Sequence, residues 1–349
     1  MRTTPTMTAM ICRLGFVLFI ATVTAEEPKV AVQRRDAWTN LFAGKSARLT
    51  CEVIAKQDGG ATLQWSVAVA GAVIARGEQA VDFQADETKG VSWDVELPEL
   101  RAGVVAEASL EIGLRARDGS PPFEAVPVRV PLLVSSPEVT AQRAEWLKSC
   151  ELVLFDPAGK TADAFARSRI PHRVAEEPQC AHLSPGLIVY GEGIDEERLE
   201  AVWRAAVEAA VSGRRVLVLS SPRAAVPVER LMTPQEDAVE SIRLRRSDII
   251  TLWDKRWDAI EWPAPGRLVA SSLHWTARGD VPLVEFRNDR DGWHWLDVRH
   301  RNGGRLMWSG WGIVESWEAT PMARLVLVKM LEELSLDRHL KEGLKHDEK

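Results

Sequence analysis

The chain has 349 residues, 46% hydrophobic and 27% charged side chains, and a formal net charge of -6. That length exceeds one ordinary core and suits two domains. The acidic balance argues against a nucleic-acid partner, because phosphate binding draws on clustered Lys and Arg; Arg243 to Arg246 is a short basic run that reads as a solvated face.

Residues 1–25 have the form of a secretory signal peptide: Arg2 and Arg13 give a positive start, Leu14 to Val23 is an apolar core, and Ala25 offers a small residue for cleavage before Glu26. The apolar run is well short of the ~20 residues that span a bilayer, and no second span follows, so no stable membrane span is expected after cleavage. Export places the mature chain in the periplasm or outside the cell. Losing the two arginines takes the net charge from -6 to about -8. Export also argues against nucleotide cofactors, and none is expected. Cys51, Cys150 and Cys180 remain, an odd number in an oxidising compartment. Three buried thiols are the expected state, with a Cys150 to Cys180 disulfide as the alternative. No Cys/His spacing fits a metal site.

Residues 26–137 alternate apolar and polar with period two. Strands are predicted at Ala47 to Ile54, Thr62 to Val69, Val91 to Leu97, Ala106 to Arg115 and Ala125 to Val134. Short strands at this spacing argue for an antiparallel sandwich. Cys51 and Trp65 stand where an immunoglobulin-like domain carries its second-strand cysteine and third-strand tryptophan, but the Ala106 to Arg115 strand has no second cysteine. The expected fold is therefore an immunoglobulin-like β-sandwich without the inter-sheet bridge, with Trp65 in its core.

Residues 138–149 read as a linker with a short helix, and residues 150–337 as an α/β open-sheet domain. Glu151 to Asp156, Gly186 to Gly191 and Arg215 to Ser220 are apolar blocks of the kind that form buried parallel strands. Between the last two, Asp195 caps a helix whose Leu199, Val202, Trp203, Ala206 and Ala210 share one face, and Gly213 stops it. A short strand is allowed at His172 to Ala175. From Pro222 to Pro265 loops and short helices are expected. Val281 to Arg287, Trp293 to Arg299 and Arg305 to Ser309 alternate again, with Asn302-Gly303 as a hairpin turn. Thr320-Pro321 opens a final helix with Ala323, Leu327, Met330, Leu331 and Leu334 as its apolar stripe. Residues 338–349 form a charged tail.

Three groups of residues carry candidate chemistry. Asp156 to Thr161 follows a strand and precedes a helix, like a phosphate loop, but Leu154 stands where the first glycine is needed. Ser220 ends the third apolar block, where open α/β sheets present nucleophiles; it lacks a Gly-x-Ser-x-Gly elbow, and Pro222 removes an N–H. His274, His294 and His300 are its candidate bases. Fourteen Trp against one Tyr, nine of them between Trp253 and Trp317, is the most unusual usage. Indole faces stack on sugars and also fill cores, so Trp293, Trp295, Trp308 and Trp311 are ligand-binding candidates, along with Asp156, Gly191 and Gly193 at the strand ends. Trp293 and Trp295 are expected to share one strand face.

Leu97 to Leu100, Val105 to Asp118, Leu154 to Thr161, Leu187 to Gly191, Arg215 to Ser220 and Gly304 to Leu334 together resemble a two-part region of large exported bacterial proteins related to glycoside hydrolase family 2. There an immunoglobulin-like domain precedes a flavodoxin-like, class I glutamine amidotransferase-like domain. The resemblance implies a cysteine nucleophile on a Gly-x-Cys-x-Gly elbow and a later His-x-Glu pair. Here Ser220 replaces that cysteine with neither glycine present, and no His-x-Glu follows Met307 to Ser316. The resemblance therefore implies a non-catalytic version of the fold. The expected function is an exported accessory or interaction protein with a carbohydrate or an exported protein as partner. The alternatives are an exported esterase or amidase using the crevice beside Ser220 or Gly191-Glu192-Gly193, and a purely structural assembly module.

Overall fold

The structure, a computed structural model, describes residues 29–36, 38–117, 126–179, 186–219, 225–227, 239–258, 262, 266–269, 272–276, 282–287 and 292–336, with backbone alone at 225–227, 272–276 and 282–287. The signal segment, Cys180, Ser220 and the charged tail lie outside the described residues.

The first unit holds β1 (Val30–Arg34), β2 (Asn40–Phe42), β3 (Ser46–Ala55), β4 (Gly59–Val69), β5 (Ala72–Phe83), β6 (Thr88–Glu96), β7 (Val105–Ala116) and β8 (Val128–Ser135). They form two sheets, β1-β3-β6 and β2-β8-β7-β4-β5. Side chains of a strand point alternately to its two faces. Leu49, Cys51, Val53 and Ala55 of β3 accordingly meet Ala61, Leu63, Val67 and Val69 of β4 in one core. This is a two-sheet sandwich. Trp65 is half-buried and stacks on Trp93 with centroids 5.2 Å apart. Gly77 makes room for it: a Cβ there would lie 2.5 Å from the Trp65 ring. The Cys51 thiol is free and buried, and burial pushes its pKa up to about 12. Three strands lacked a sequence signal. Most of β5 is exposed until Val81 and Phe83, so it carries little apolar alternation.

A 3-10 turn at Ala141–Arg143 leads into α1 (Ala144–Ser149). Then follow β9 (Val153–Phe155), α2 (Lys160–Arg167), β10 (Arg173–Ala175), β11 (Ile188–Tyr190), α3 (Glu196–Val211), β12 (Arg215–Val218), β13 (Ala225–Pro227), β14 (Val239–Arg245), α4 (Asp248–Trp253), β15 (Arg267–Val269), β16 (Ser272–Thr276), β17 (Pro282–Arg287), β18 (Trp295–His300), β19 (Arg305–Ser309) and α5 (Pro321–Ser335). Seven of these strands make one sheet in the order β10-β9-β11-β12-β19-β18-β14. The five from β10 to β19 run parallel, and β18 is antiparallel to both of its neighbours. Two small pairs, β13-β15 and β16-β17, stand apart.

The sheet is covered on both faces. Val153, Phe155, Ile188, Tyr190, Val216 and Val218 pack with α3. Their alternates Leu154, Val189 and Leu217 pack with Phe165 of α2 and with Met322, Val326 and Met330 of α5. The caps are as the sequence indicates: Asp195 accepts the Arg198 N–H at 2.9 Å, and Thr320 accepts the Met322 N–H at 3.2 Å. Two expectations need correction. The Pro222 to Pro265 stretch contains two strands, β13 and β14, and β14 completes the sheet. The parallel layer is also extended by the β18 and β14 strands, because the Asn302-Gly303 turn, with Gly303 at φ 87°, folds β19 back antiparallel on β18.

Candidate functional site

The chain goes from β9 outward to β10, then crosses back to β11 on the other side of β9. A crevice opens at such a reversal, outside the carboxyl ends of the strands. Asp156 follows β9, and Gly191, Glu192 and Gly193 follow β11, so the backbone brings these four residues to that edge.

Each group there already has work within the fold. Asp156 Oδ2 accepts the Ala162 N–H at 2.8 Å in the first turn of α2, while Oδ1 is buried without a hydrogen-bond partner. The Thr161 hydroxyl accepts the Glu192 N–H at 2.8 Å. Gly191 is required by close approach: a Cβ would come within 2.8 Å of both Asp156 Oδ1 and Thr161 Oγ1. Gly193 is required by conformation, with φ 88°. Leu154 lies wholly buried inside β9, so the segment after it is a strand-to-helix turn and not a nest of N–H groups around a phosphate.

The sequence marked Glu192 only as part of the Gly191-Glu192-Gly193 segment and gave it no role of its own. Its side chain is 9% exposed and its two oxygens accept the N–H groups of Val314, at 2.7 Å, and Glu315, at 3.0 Å, from the turn after β19. Burial raises its pKa to about 7; the N–H donors pull it back down, and the charge of Glu315 adds to the rise. Only the topology reveals it, since nothing local marks Glu192 out from its neighbours.

The structure buries all four tryptophan candidates: Trp293 is 7% exposed, Trp295 3%, Trp308 1% and Trp311 0%. No indole face among them is open to stack on a sugar. They fill the two layers between sheet and helices, and Trp293 and Trp295 fall in opposite layers, because Trp293 precedes β18 and bridges instead to Leu268. Trp253 and Trp257 are half-buried, and Leu252 is 64% exposed. Trp253 stands edge-on to Trp295 and Trp311, at 6.2 and 6.4 Å.

Leu219 donates its N–H to Tyr190 O at 3.0 Å, which keeps the end of β12 beside that of β11; Ser220 itself is outside the described residues. Of its candidate bases, His300 ends β18 and pairs with Val239, at the opposite edge of the sheet. His294 precedes β18, and burial lowers its pKa, aided by Arg246 and Arg267. The His274 side chain is not described. Cys150 carries a free buried thiol. Among the described residues, no group of three or more His, Cys, Asp or Glu could hold a metal ion, and no helix is long and apolar enough to cross a membrane.

No family model matches the chain, and no curated protein matches it. Among solved structures it is similar to a β-glucosidase from Listeria innocua in complex with gluconolactone, at 12% identity over 31% of this chain and 16% of that one, with a TM-score of 0.22. A Pseudomonas fluorescens alkylpurine DNA glycosylase, AlkC, matches at 7% identity over 31% of each chain, with a TM-score of 0.23. A CARDB domain from Pyrococcus furiosus matches at 10% identity over 31% of this chain and 90% of that domain, with a TM-score of 0.20. The chain thus spans well under half of the glucosidase and of the glycosylase, and likenesses this distant carry no argument about what it binds or catalyses.

Proposed function

We propose that the chain is an exported, non-catalytic accessory or interaction module. In this reading an immunoglobulin-like sandwich is joined to an open α/β domain of the flavodoxin-like, class I amidotransferase-like kind, and the partner is a carbohydrate or an exported protein. The parallel strands appear in the order second, first, third, fourth, fifth across the sheet, an order shared by flavodoxin-like folds. The single observation that carries the non-catalytic reading is that Glu192, at the crevice, spends both oxygens holding main-chain N–H groups. A general acid or base must instead reach a substrate proton. With four tryptophans interior, the contact shelf passes to Leu252, Trp253 and Trp257. The test is a glycan array together with capture from an exported fraction: binding lost in Trp257→Ala supports the reading, and binding indifferent to Leu252, Trp253 and Trp257 overturns the shelf.

One observation favours a second reading, that of an exported esterase or amidase. Glu192 has a pKa near 7 and stands at the same edge as the end of β12, after which Ser220 follows. Turnover of ester or amide substrates that Ser220→Ala abolishes would establish it.

A further inference from the structure

We propose that the sandwich pairs with a second copy of this chain along β5: the two β5 strands lie antiparallel about a two-fold axis at Gly77, and the five-stranded sheets of both copies join into one. This contact is separate from the shelf at Leu252, Trp253 and Trp257, so either can fail while the other stands.

The edge is open to a partner. β5 runs 12 residues, Ala72–Phe83, pairs with β4 on one side, and among the described residues meets no strand on the other. An open edge of that length is a template for another strand unless proline, lysine, a bulge or a covering segment blunts it. β5 contains neither proline nor lysine. Its bulge falls at Ile74, the residue skipped between Val73 and Ala75 in the pairing with β4, which leaves the strand regular from Ala75 onward.

The side chains select both a second copy and a register. Arg76 and Glu78 are exposed and pair with Ser66 and Gln64 of β4, on the outer face of the sheet, because Trp65 between those two turns toward the core. An antiparallel two-fold at Gly77 sets Arg76 directly opposite Glu78 of the second copy, and the symmetry repeats the pair. Among the described residues Arg76 makes no ion pair within its own chain, and Glu78 accepts only a long bond from Gln64 Nε2, at 3.4 Å. Gly77 suits the centre: it presents no side chain, and the half-buried Trp65 indole lies across it, its Cζ2 2.5 Å from where a Cβ would stand. Beyond the bulge, Val73 and Ile74, 63% and 37% exposed, come alongside Ala80 of the second copy. The other long edge, β6, is unsuited to pairing with itself. Its outer row, Thr88, Gly90, Ser92, Asp94 and Glu96, holds acids and no cation, so a two-fold there brings no opposite charges together.

Sedimentation equilibrium of the whole mature chain tests this. From about 1 to about 200 µM the wild-type mass should rise from one chain toward two. Arg76→Glu and Glu78→Arg, both at exposed positions, each set like charges across the two-fold and should raise the dissociation constant about tenfold or more, and the double swap, Arg76→Glu with Glu78→Arg, should restore it. A wild-type chain that stays monomeric, a dimer indifferent to either single substitution, or a double swap as weak as the singles overturns the pairing. A second measurement needs no variant: amide hydrogen exchange between Ala75 and Gln79 should slow as concentration rises, while that of β6 does not. A dimer whose β5 amides exchange at the same rate at every concentration uses another surface, and that result also overturns the pairing.

Discussion

Asn40 of the sandwich is wholly buried against Asp258 of the α/β unit: the carboxylate accepts the Asn40 main-chain N–H at 3.1 Å and its side-chain Nδ2 at 2.8 Å. Thr39 adds its N–H to the same carboxylate, and the Thr320 hydroxyl donates to Asn40 O at 3.1 Å. Nearby, Arg324 of α5 donates to Pro137 O at 2.6 Å and lies over the Phe42 ring. These hydrogen bonds join the two units through residue pairs 187 to 280 positions apart.

Asp258→Ala leaves several buried N–H groups without an acceptor. The expected loss is about 3 kcal/mol in urea denaturation, and Asp258→Asn, which keeps one oxygen, is expected to lose about half of that. A loss below about 0.5 kcal/mol in Asp258→Ala would show that the junction is held by something else.

Asp297 is 0% exposed and receives Arg305 through two parallel bonds, Nε to Oδ1 at 2.5 Å and Nη2 to Oδ2 at 2.8 Å. Asp297→Leu takes the carboxylate from the buried Arg305, and Arg305→Met leaves Asp297 with only Arg299, whose Nε lies 3.3 Å from Oδ2, so the first should cost about 3–5 kcal/mol and the second about 2–4 kcal/mol. The double substitution should cost less than either single one. Additive losses in that double-mutant cycle would refute a coupled pair.

Trp308 and Trp311 are core side chains, so Trp308→Ala and Trp311→Ala should lower stability by about 3–5 kcal/mol through the cavity each leaves. Thermal unfolding with far-ultraviolet circular dichroism checks this. A variant that kept full stability and lost only ligand binding would return the residue to the surface role.

Glu192 sets a pH dependence whose sign follows from its raised pKa. Between its ordinary value of 4.5 and the folded value of about 7, the folded chain holds the proton more tightly than the unfolded one. The stability contributed by this group is complete below about 4.5, falls as pH rises, and is gone above about 7, a span worth at most about 3 kcal/mol. Urea denaturation at pH 5 and pH 8 should show that decrement in the wild-type chain and its loss in Glu192→Gln. An identical decrement in both chains would assign it to other groups.

Gly191→Ala forces a methyl group against Asp156 Oδ1 and Thr161 Oγ1, both 2.8 Å from the Cβ position. A cost of about 1–3 kcal/mol is expected, larger than that of Gly193→Ala, where nothing lies within 4 Å and only the positive φ resists. Equal stabilities for the two variants, from chemical denaturation, would show that the close approach does not matter.

Local signals marked out much of this architecture. Apolar blocks became β9, β11 and β12; Asp195, Thr320 and Pro321 opened the helices; period-two alternation located five of the sandwich strands; and Asn302-Gly303 turned the last hairpin. These features depend on neighbours in the chain, and periodicity and capping write them into short stretches. Tertiary structure decided the rest. β14 joined the sheet, four conspicuous tryptophans went into the core, and Glu192 met Val314 and Glu315 across 122 positions of sequence. Composition records that an indole or a carboxylate is present. Which face it buries, and which distant N–H groups it meets, follows only from the order in which the strands assemble.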